Sequence, residues 1–143
     1  MKITTFLKKS LIIPTLFTAI NLESELKRRL SAHGLTTLEA LIIVGIAFEA
    51  RDCRPSELSN NFHASRARIS QALKKLIDKN LVERKLESED ARFISIKLST
   101  KGKNLSTKLV SIFDEMNDKI EHSIGAKNAE QAAGHIFSLL QKL

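Results

Sequence analysis

Ser65-Arg66-Ala67-Arg68-Ile69-Ser70-Gln71-Ala72-Leu73-Lys74-Lys75-Leu76-Ile77-Asp78-Lys79-Asn80 is an amphipathic helix whose charge has been sorted to one side. Ile69, Leu73, Leu76 and Ile77 recur at helical spacing and mark an apolar face, while Arg66, Arg68, Ser70, Gln71, Lys74 and Lys75 fall elsewhere. Asn80 suits the left-handed position that closes a helix. The stretch before it opens on Pro55 with Glu57 in the first turn, both favourable at a helix start, and ends near Asn61 and Phe62. Two short helices joined by a three- or four-residue turn, the second rich in Arg, Lys, Ser and Gln, form a helix-turn-helix. Such a second helix fits the major groove of B-DNA, with its polar side chains on base edges.

After Asn80 the period changes from helical to alternating. Residues 81–85 and 93–98 read as strands, the second with Ile94, Ile96 and Leu98 one way and Phe93, Ser95 and Lys97 the other. Glu87 to Asp90 is the polar turn between them, so the pair is a hairpin, or wing. Its tip carries Arg92, and Arg84 and Lys85 lie on its first strand. An arginine is the side chain that a narrow, electronegative minor groove attracts. Asp90 is placed to hold the Arg92 guanidinium by a charged hydrogen bond.

Working outward, Thr36 and Glu39 form a capping box ahead of the apolar run 41–46. An N-terminal helix runs from about residue 4 or 11 to Leu30, with Leu16, Ile20, Leu26 and Leu30 near helical spacing. A long helix covers about 100–124, Gly125 breaks it, and a last helix covers about 129–143. The expected fold is therefore mainly α with a small β-hairpin wing: a winged helix-turn-helix at about 35–99, flanked by dimerisation helices at about 1–31 and 100–143, all within one domain of 143 residues.

Charge placement supports this division. Residues 51–108 hold fourteen Lys and Arg against seven Asp and Glu, whereas the remainder holds nine of each, so the whole net charge of +7 sits in the centre. A basic module between neutral flanks fits a polyanionic partner. With seven Phe and no Tyr or Trp, the chain lacks the aromatic platforms on which single-strand binders stack bases, which favours duplex DNA. The terminal helices are apolar on one face and neutral overall, and a thin winged core leaves them little to bury against except a second copy. Two-fold symmetry then predicts half-sites about 10 base pairs apart or a multiple of that.

Other chemistries find less support. The glycines at 34, 45, 102, 125 and 134 build no phosphate loop, and no nucleophile motif or metal-ligand spacing occurs, so no enzyme, cofactor or metal site is expected. Asp118 and His122 lie four residues apart without a second ligand pair, and His33 and His63 read as loop and turn residues. Cys53, between Asp52 and Arg54, is the single cysteine, which excludes a disulfide within the chain and points to a reducing, cytoplasmic setting. Residues 1–20 have the outline of a signal peptide, but Pro14 interrupts the apolar run 11–20 and no small-residue cleavage site follows, so a helix with one buried face is expected and no membrane partner.

The order Leu35-Thr36-x-x-Glu39, Pro55-Ser56-Glu57-Leu58-Ser59, Ser65-Arg66-x-x-Ile69-Ser70-x-x-Leu73-x-x-Leu76, Leu81-Val82-Glu83-Arg84, Asp90-x-Arg92 and Leu98-Ser99-x-x-Gly102 resembles the multiple-antibiotic-resistance regulator (MarR) family. The wing signature with the Leu-Ser-x-x-Gly after it is its most specific part. The resemblance implies a transcription regulator acting as a homodimer, triangular in shape, on a pseudo-palindromic operator, and for many members release by a small-molecule effector. It implies that Ser65, Arg66, Arg68, Ser70, Gln71 and Lys74 face the major groove and that Arg92, steadied by Asp90, enters the minor groove; by their place a turn later on the helix Lys74 and Lys75 suit phosphates, and Arg84 on the wing's first strand is counted with the DNA-binding residues. Gln71 stands where the family often has Arg, and Asn80 replaces a glycine. Two alternatives remain open: a winged-helix module that docks an acidic protein, and a redox or ligand sensor working through Cys53, although the family's peroxide sensors carry that cysteine in the first helix.

Overall fold

The computed structural model describes residues 2–86 and 94–143. Helices α1 (Lys2–Lys9) and α2 (Ile12–Leu30) are followed by a 3-10 turn at Ser31–His33, then α3 (Thr37–Glu49), α4 (Pro55–Asn61), α5 (Arg66–Asp78), strands β1 (Val82–Leu86) and β2 (Ile94–Leu98), α6 (Thr100–Ile124) and α7 (Ala126–Leu140). The mainly helical fold with an antiparallel hairpin matches the sequence expectation. The chain divides into two compact units, residues 1–106 and 107–143.

Local chemistry sets the boundaries in the first unit. Pro14 falls in the first turn of α2, where its missing N–H costs nothing, and the Ser10 hydroxyl accepts from the Ile13 amide at 3.3 Å. The Thr36–Glu39 capping box is formed in both directions, each bond at 3.3 Å. Glu57 accepts from the Arg54 amide at 2.7 Å ahead of Pro55. The turn between α4 and α5 is tied by Ser59, whose hydroxyl donates to the Ala64 carbonyl at 2.6 Å, while His63 takes the left-handed conformation.

The end of α5 is a Schellman motif. Asn80 has φ +56, its amide donates to the Ile77 carbonyl at 2.8 Å, and the Leu81 amide donates to the Leu76 carbonyl at 2.9 Å. Leu76 and Leu81 are both buried, which supplies the apolar contact that accompanies this cap. Asparagine thus does the work of glycine at this position.

The core of this unit gathers Leu30 from α2, Ile42, Ile43 and Ile46 from α3, Leu58 from α4, Ile69, Leu73 and Leu76 from α5, and Val82, Ile96 and Leu98 from the hairpin. Truncating a fully buried residue such as Leu76 to alanine costs about 2–5 kcal/mol. The register pairs Val82 with Leu98, Arg84 with Ile96 and Leu86 with Ile94. Two features differ from expectation. Cys53 adds a third strand position, its amide and carbonyl exchanging bonds with Ile96 at 2.9 and 2.7 Å. Ser95, expected on the outer face, is buried, and its hydroxyl donates to the Lys85 carbonyl at 3.4 Å.

The Leu98-Ser99-x-x-Gly102 signature is a junction. The Ser99 hydroxyl accepts from the Gly102 amide at 2.9 Å, capping α6, and donates to the Asn80 carbonyl at 2.7 Å. A Cβ at position 102 would collide with the Leu81 backbone carbonyl, so only glycine lets α6 start here. In the second unit, Gly125 (φ +85) separates α6 from α7, which begins at Ala126, three residues earlier than expected, because the left-handed turn needs a single residue.

Candidate nucleic-acid interface

Seven of the residues singled out in the sequence lie on or beside α5. Ser65 is its N-cap, its hydroxyl accepting from the Arg68 amide at 3.2 Å, so that oxygen already serves the helix. Arg66, Arg68, Ser70, Gln71, Lys74 and Lys75 are all exposed. At about 100° per residue they do not form one line. Lys74 and Gln71 crown the ridge opposite the core face; Arg66 and Ser70 lean to one flank, Arg68 and Lys75 to the other.

Each flank borders a groove. On one side Arg66 and Ser70 share a concavity of about 360 Å³ with Ser56 from α4 and Arg84 and Ile94 from the hairpin. On the other, Arg68, Gln71 and Lys75 line one of about 300 Å³ with Lys27 and Thr36. Arg84, assigned to the wing strand, is thereby brought beside the recognition helix rather than held apart from it. Asp90, Arg92 and the polar turn 87–90 lie outside the described residues.

Several cations elsewhere in the first unit are held by acids. Lys27 pairs with Glu23 at 3.0 Å, Arg51 with Glu57 at 2.9 Å, Lys97 with Glu83 at 3.1 Å, and Lys85 with Asp52 at 3.4 Å. Among the described residues, Arg66, Arg68, Lys74, Lys75 and Arg84 have no such partner. These cations, on one ridge and its two shoulders, form a positive surface with polar hydrogen-bonding groups, Ser70 and Gln71, set within it.

One functional candidate was illegible in the sequence. Lys79, read as the end of a helix, sends its ammonium to the Gly34 carbonyl at 2.8 Å and to Glu39 at 2.9 Å. Glu39 is only 2% exposed. A contact spanning forty residues leaves no local signal.

Cys53 is buried, and its thiol donates to the Arg51 carbonyl at 3.6 Å. Burial pushes the thiol up from its ordinary range, outweighing the Arg51 charge that pulls the other way. Burial and a raised thiol both weigh against Cys53 as a redox sensor. His122 Nδ1 lies 2.9 Å from the Asp118 carbonyl, and no group of three metal-binding side chains occurs among the described residues. No single helix among them is long and apolar enough to cross a membrane; α1 and the helical stretch Ile12–His33 would qualify only together, and they bend by 84°.

Residues 25–109, more than half of the chain, match the family model for the transcriptional regulator SarA/Rot. The HTH-type transcriptional regulator BilQ of Clostridium symbiosum is 29% identical over 121 residues, covering 85% of this chain and 78% of that protein. Among solved structures, the MepR–DNA complex of S. aureus superposes with a TM-score of 0.79 at 20% identity, covering 94% of this chain and 100% of that one. NadR in complex with 4-hydroxyphenylacetate superposes with a TM-score of 0.76 at 20% identity, covering 92% and 96%. These relatives are regulators rather than enzymes, and the chain belongs to the SarA/Rot family of transcriptional regulators, a winged helix-turn-helix family of the MarR type.

Proposed function

We propose that this regulator binds duplex DNA sequence-specifically as a homodimer on a pseudo-palindromic operator. The observation that carries the reading is the α5 surface, where Arg66, Arg68, Lys74 and Lys75 stand beside Arg84 without counter-charges among the described residues. An anionic partner supplies those charges, and the duplex backbone releases condensed counterions as it does so. In this docking Arg66, Arg68, Ser70 and Gln71 read base edges, Ser65 holds the helix start at the groove, and Lys74, Lys75 and Arg84 meet phosphates. Arg92, steadied by Asp90, takes the minor groove.

The winged part, about 35–99, meets DNA, and the terminal parts, about 1–31 and 100–143, dimerise. Phe6 on α1, Leu11 at the N-cap of α2, and Ile12, Leu16, Phe17 and Ile20 on α2 are exposed, Ile12 to 76%, as are Ile136 and Phe137 on α7. Exposed apolar residues on helices of this kind mark an interface. Release by a small effector is a finer reading; the NadR complex with 4-hydroxyphenylacetate supports it, as does a cavity of about 390 Å³ lined in part by Ile46, Ala47, Lys97 and Leu98.

The test is selection from a mixed duplex pool at several salt concentrations, with sequencing of the bound fraction. A salt-steep interaction that enriches a two-fold symmetric motif is the expected result. Salt-insensitive retention of an acidic protein, with no duplex enriched, turns the assignment to a protein-docking module.

A further inference from the structure

We infer that Lys79 is a positioning residue that fixes the pose of the recognition helix by clamping its C-terminal end to the corner between α2 and α3. The inference rests on the DNA-binding reading above. Its ammonium bridges two groups on that corner: the carbonyl of Gly34, which has φ +64, and the carboxylate of Glu39. Glu39 is itself fixed, because its other bond closes the α3 capping box on the Thr36 amide. A carboxylate at 2% exposure needs a paired, hydrogen-bonded counter-charge, and Lys79 is the partner placed to supply it.

The same end of α5 is held from the opposite side. Lys101 donates to the Lys79 carbonyl at 3.1 Å, the Ser99 hydroxyl donates to the Asn80 carbonyl at 2.7 Å, and the Ser99 amide donates to the Leu81 carbonyl at 3.1 Å. The recognition helix is thus anchored at its C-terminal end to both the α2–α3 corner and the start of α6. Its N-terminal half, carrying Arg66, Arg68, Ser70 and Gln71, is seated by Ile69 in the core and by the Ser59–Ala64 tie, and its tilt about those contacts is set by where the C-terminal end is held. At 1.5 Å per residue, a helix of thirteen residues is about 20 Å long, and a tilt of about 10° moves one end relative to the other by about 3 Å. That displacement exceeds the tolerance of a hydrogen bond to a base edge. Phosphate attraction is less demanding of geometry, so a loosened clamp costs sequence discrimination before it costs general DNA affinity.

The experiment compares Lys79→Met with wild type on two probes: the sequence that wild type enriches from a mixed duplex pool, and random duplex, each across a range of salt. Affinity for the enriched sequence falls by about tenfold, in the range of one lost base-reading contact, while random-duplex affinity and the salt slope stay as in wild type. Lys79→Arg restores the ratio, because the clamp needs a cation of that reach. Glu39→Gln combined with Lys79→Met leaves no unpaired charge in the core, folds as judged by a cooperative melt, and shows the same loss of discrimination; it decides the matter where the single variant unfolds. An unchanged ratio in a folded variant overturns the proposal. So does a parallel fall on both probes with the slope reduced by about one, which makes Lys79 a phosphate contact. A wild-type chain that enriches no sequence removes the regulator reading itself, and that outcome is visible before any variant is made.

Discussion

Helices α2 and α5 are both amphipathic and both rich in charge, yet they treat that charge in opposite ways. On α2, Glu25 holds Arg28 and Arg29 at 2.8 Å each, and Glu23 holds Lys27 at 3.0 Å. Every one of these pairs is three or four residues apart, so the helix neutralises itself within a turn. On α5 the cations Arg66, Arg68, Lys74 and Lys75 share the helix with one acid, Asp78 in its last turn, and none of them has a counter-ion among the described residues. The apolar surfaces are reversed. α5 buries Ile69, Leu73 and Leu76, whereas α2 buries Leu26 and Leu30 near its end and leaves Leu16, Phe17 and Ile20 in the open. In the proposed function one helix is completed by an anion and the other by an apolar surface. The balance of acid to base distinguishes them: α2 sets two acids among three cations, α5 one acid among four.

Breaking the apolar half of this contrast has the largest effect. Phe17→Asp together with Ile20→Asp places charge in the proposed dimer face, and the chain becomes monomeric by light scattering. Binding to a two-half-site duplex then drops to the level of single-site binding, a loss of more than about a hundredfold where linked sites act together. A dimer that survives both changes shows that the α2 face has another occupant. On α5, Gln71→Ala shifts which operator is preferred, with about 1–3 kcal/mol lost at one base pair and little elsewhere. Lys74→Ala acts more weakly and without regard to sequence: it lowers the slope of log K against log salt by about one. Should Gln71 and Lys74 exchange these signatures, the assignment of base and phosphate contacts along α5 is inverted.

The parts of the molecule governed by neighbours along the chain are legible in the amino-acid order itself. Thr36 and Glu39 announce a capping box, Pro55 and Glu57 a helix start, and Asn80 a left-handed end, and each is formed as expected because its geometry closes within three or four residues. Contacts made across the fold leave no such trace. Cys53 joins Ile96 as a third strand position through two backbone bonds that any residue but proline makes. Lys79 reaches Glu39 across forty residues. The Ser99 and Gly102 signature is visible, but its reason, the close approach of α6 to the Leu81 carbonyl, emerges only in the packed chain. The cationic residues of α5 fall between these cases. Their exposure follows from the helical period, whereas their lack of counter-ions depends on every other charged group nearby.

The smallest expected effect tests the self-contained side of the comparison. Glu25 is held well below its ordinary value of 4.5, at about 2, first by hydrogen bonds from Arg28 and Arg29. Its folded value is depressed, so whatever it contributes to stability is present at neutral pH and is lost as pH falls from about 4.5 toward 2. The group is solvent-exposed, so the contribution is small and screened by salt. Glu25→Gln therefore lowers the melting temperature slightly at pH 7 and low salt, and the difference from wild type shrinks through that acid window. DNA affinity and its salt slope stay within twofold of wild type, because Arg28 and Arg29 lie outside the α5 surface. A rise in the salt slope of this variant would mean that those arginines reach phosphate when the Glu25 carboxylate is gone, and that α2 withholds its charge from the duplex only because Glu25 keeps it.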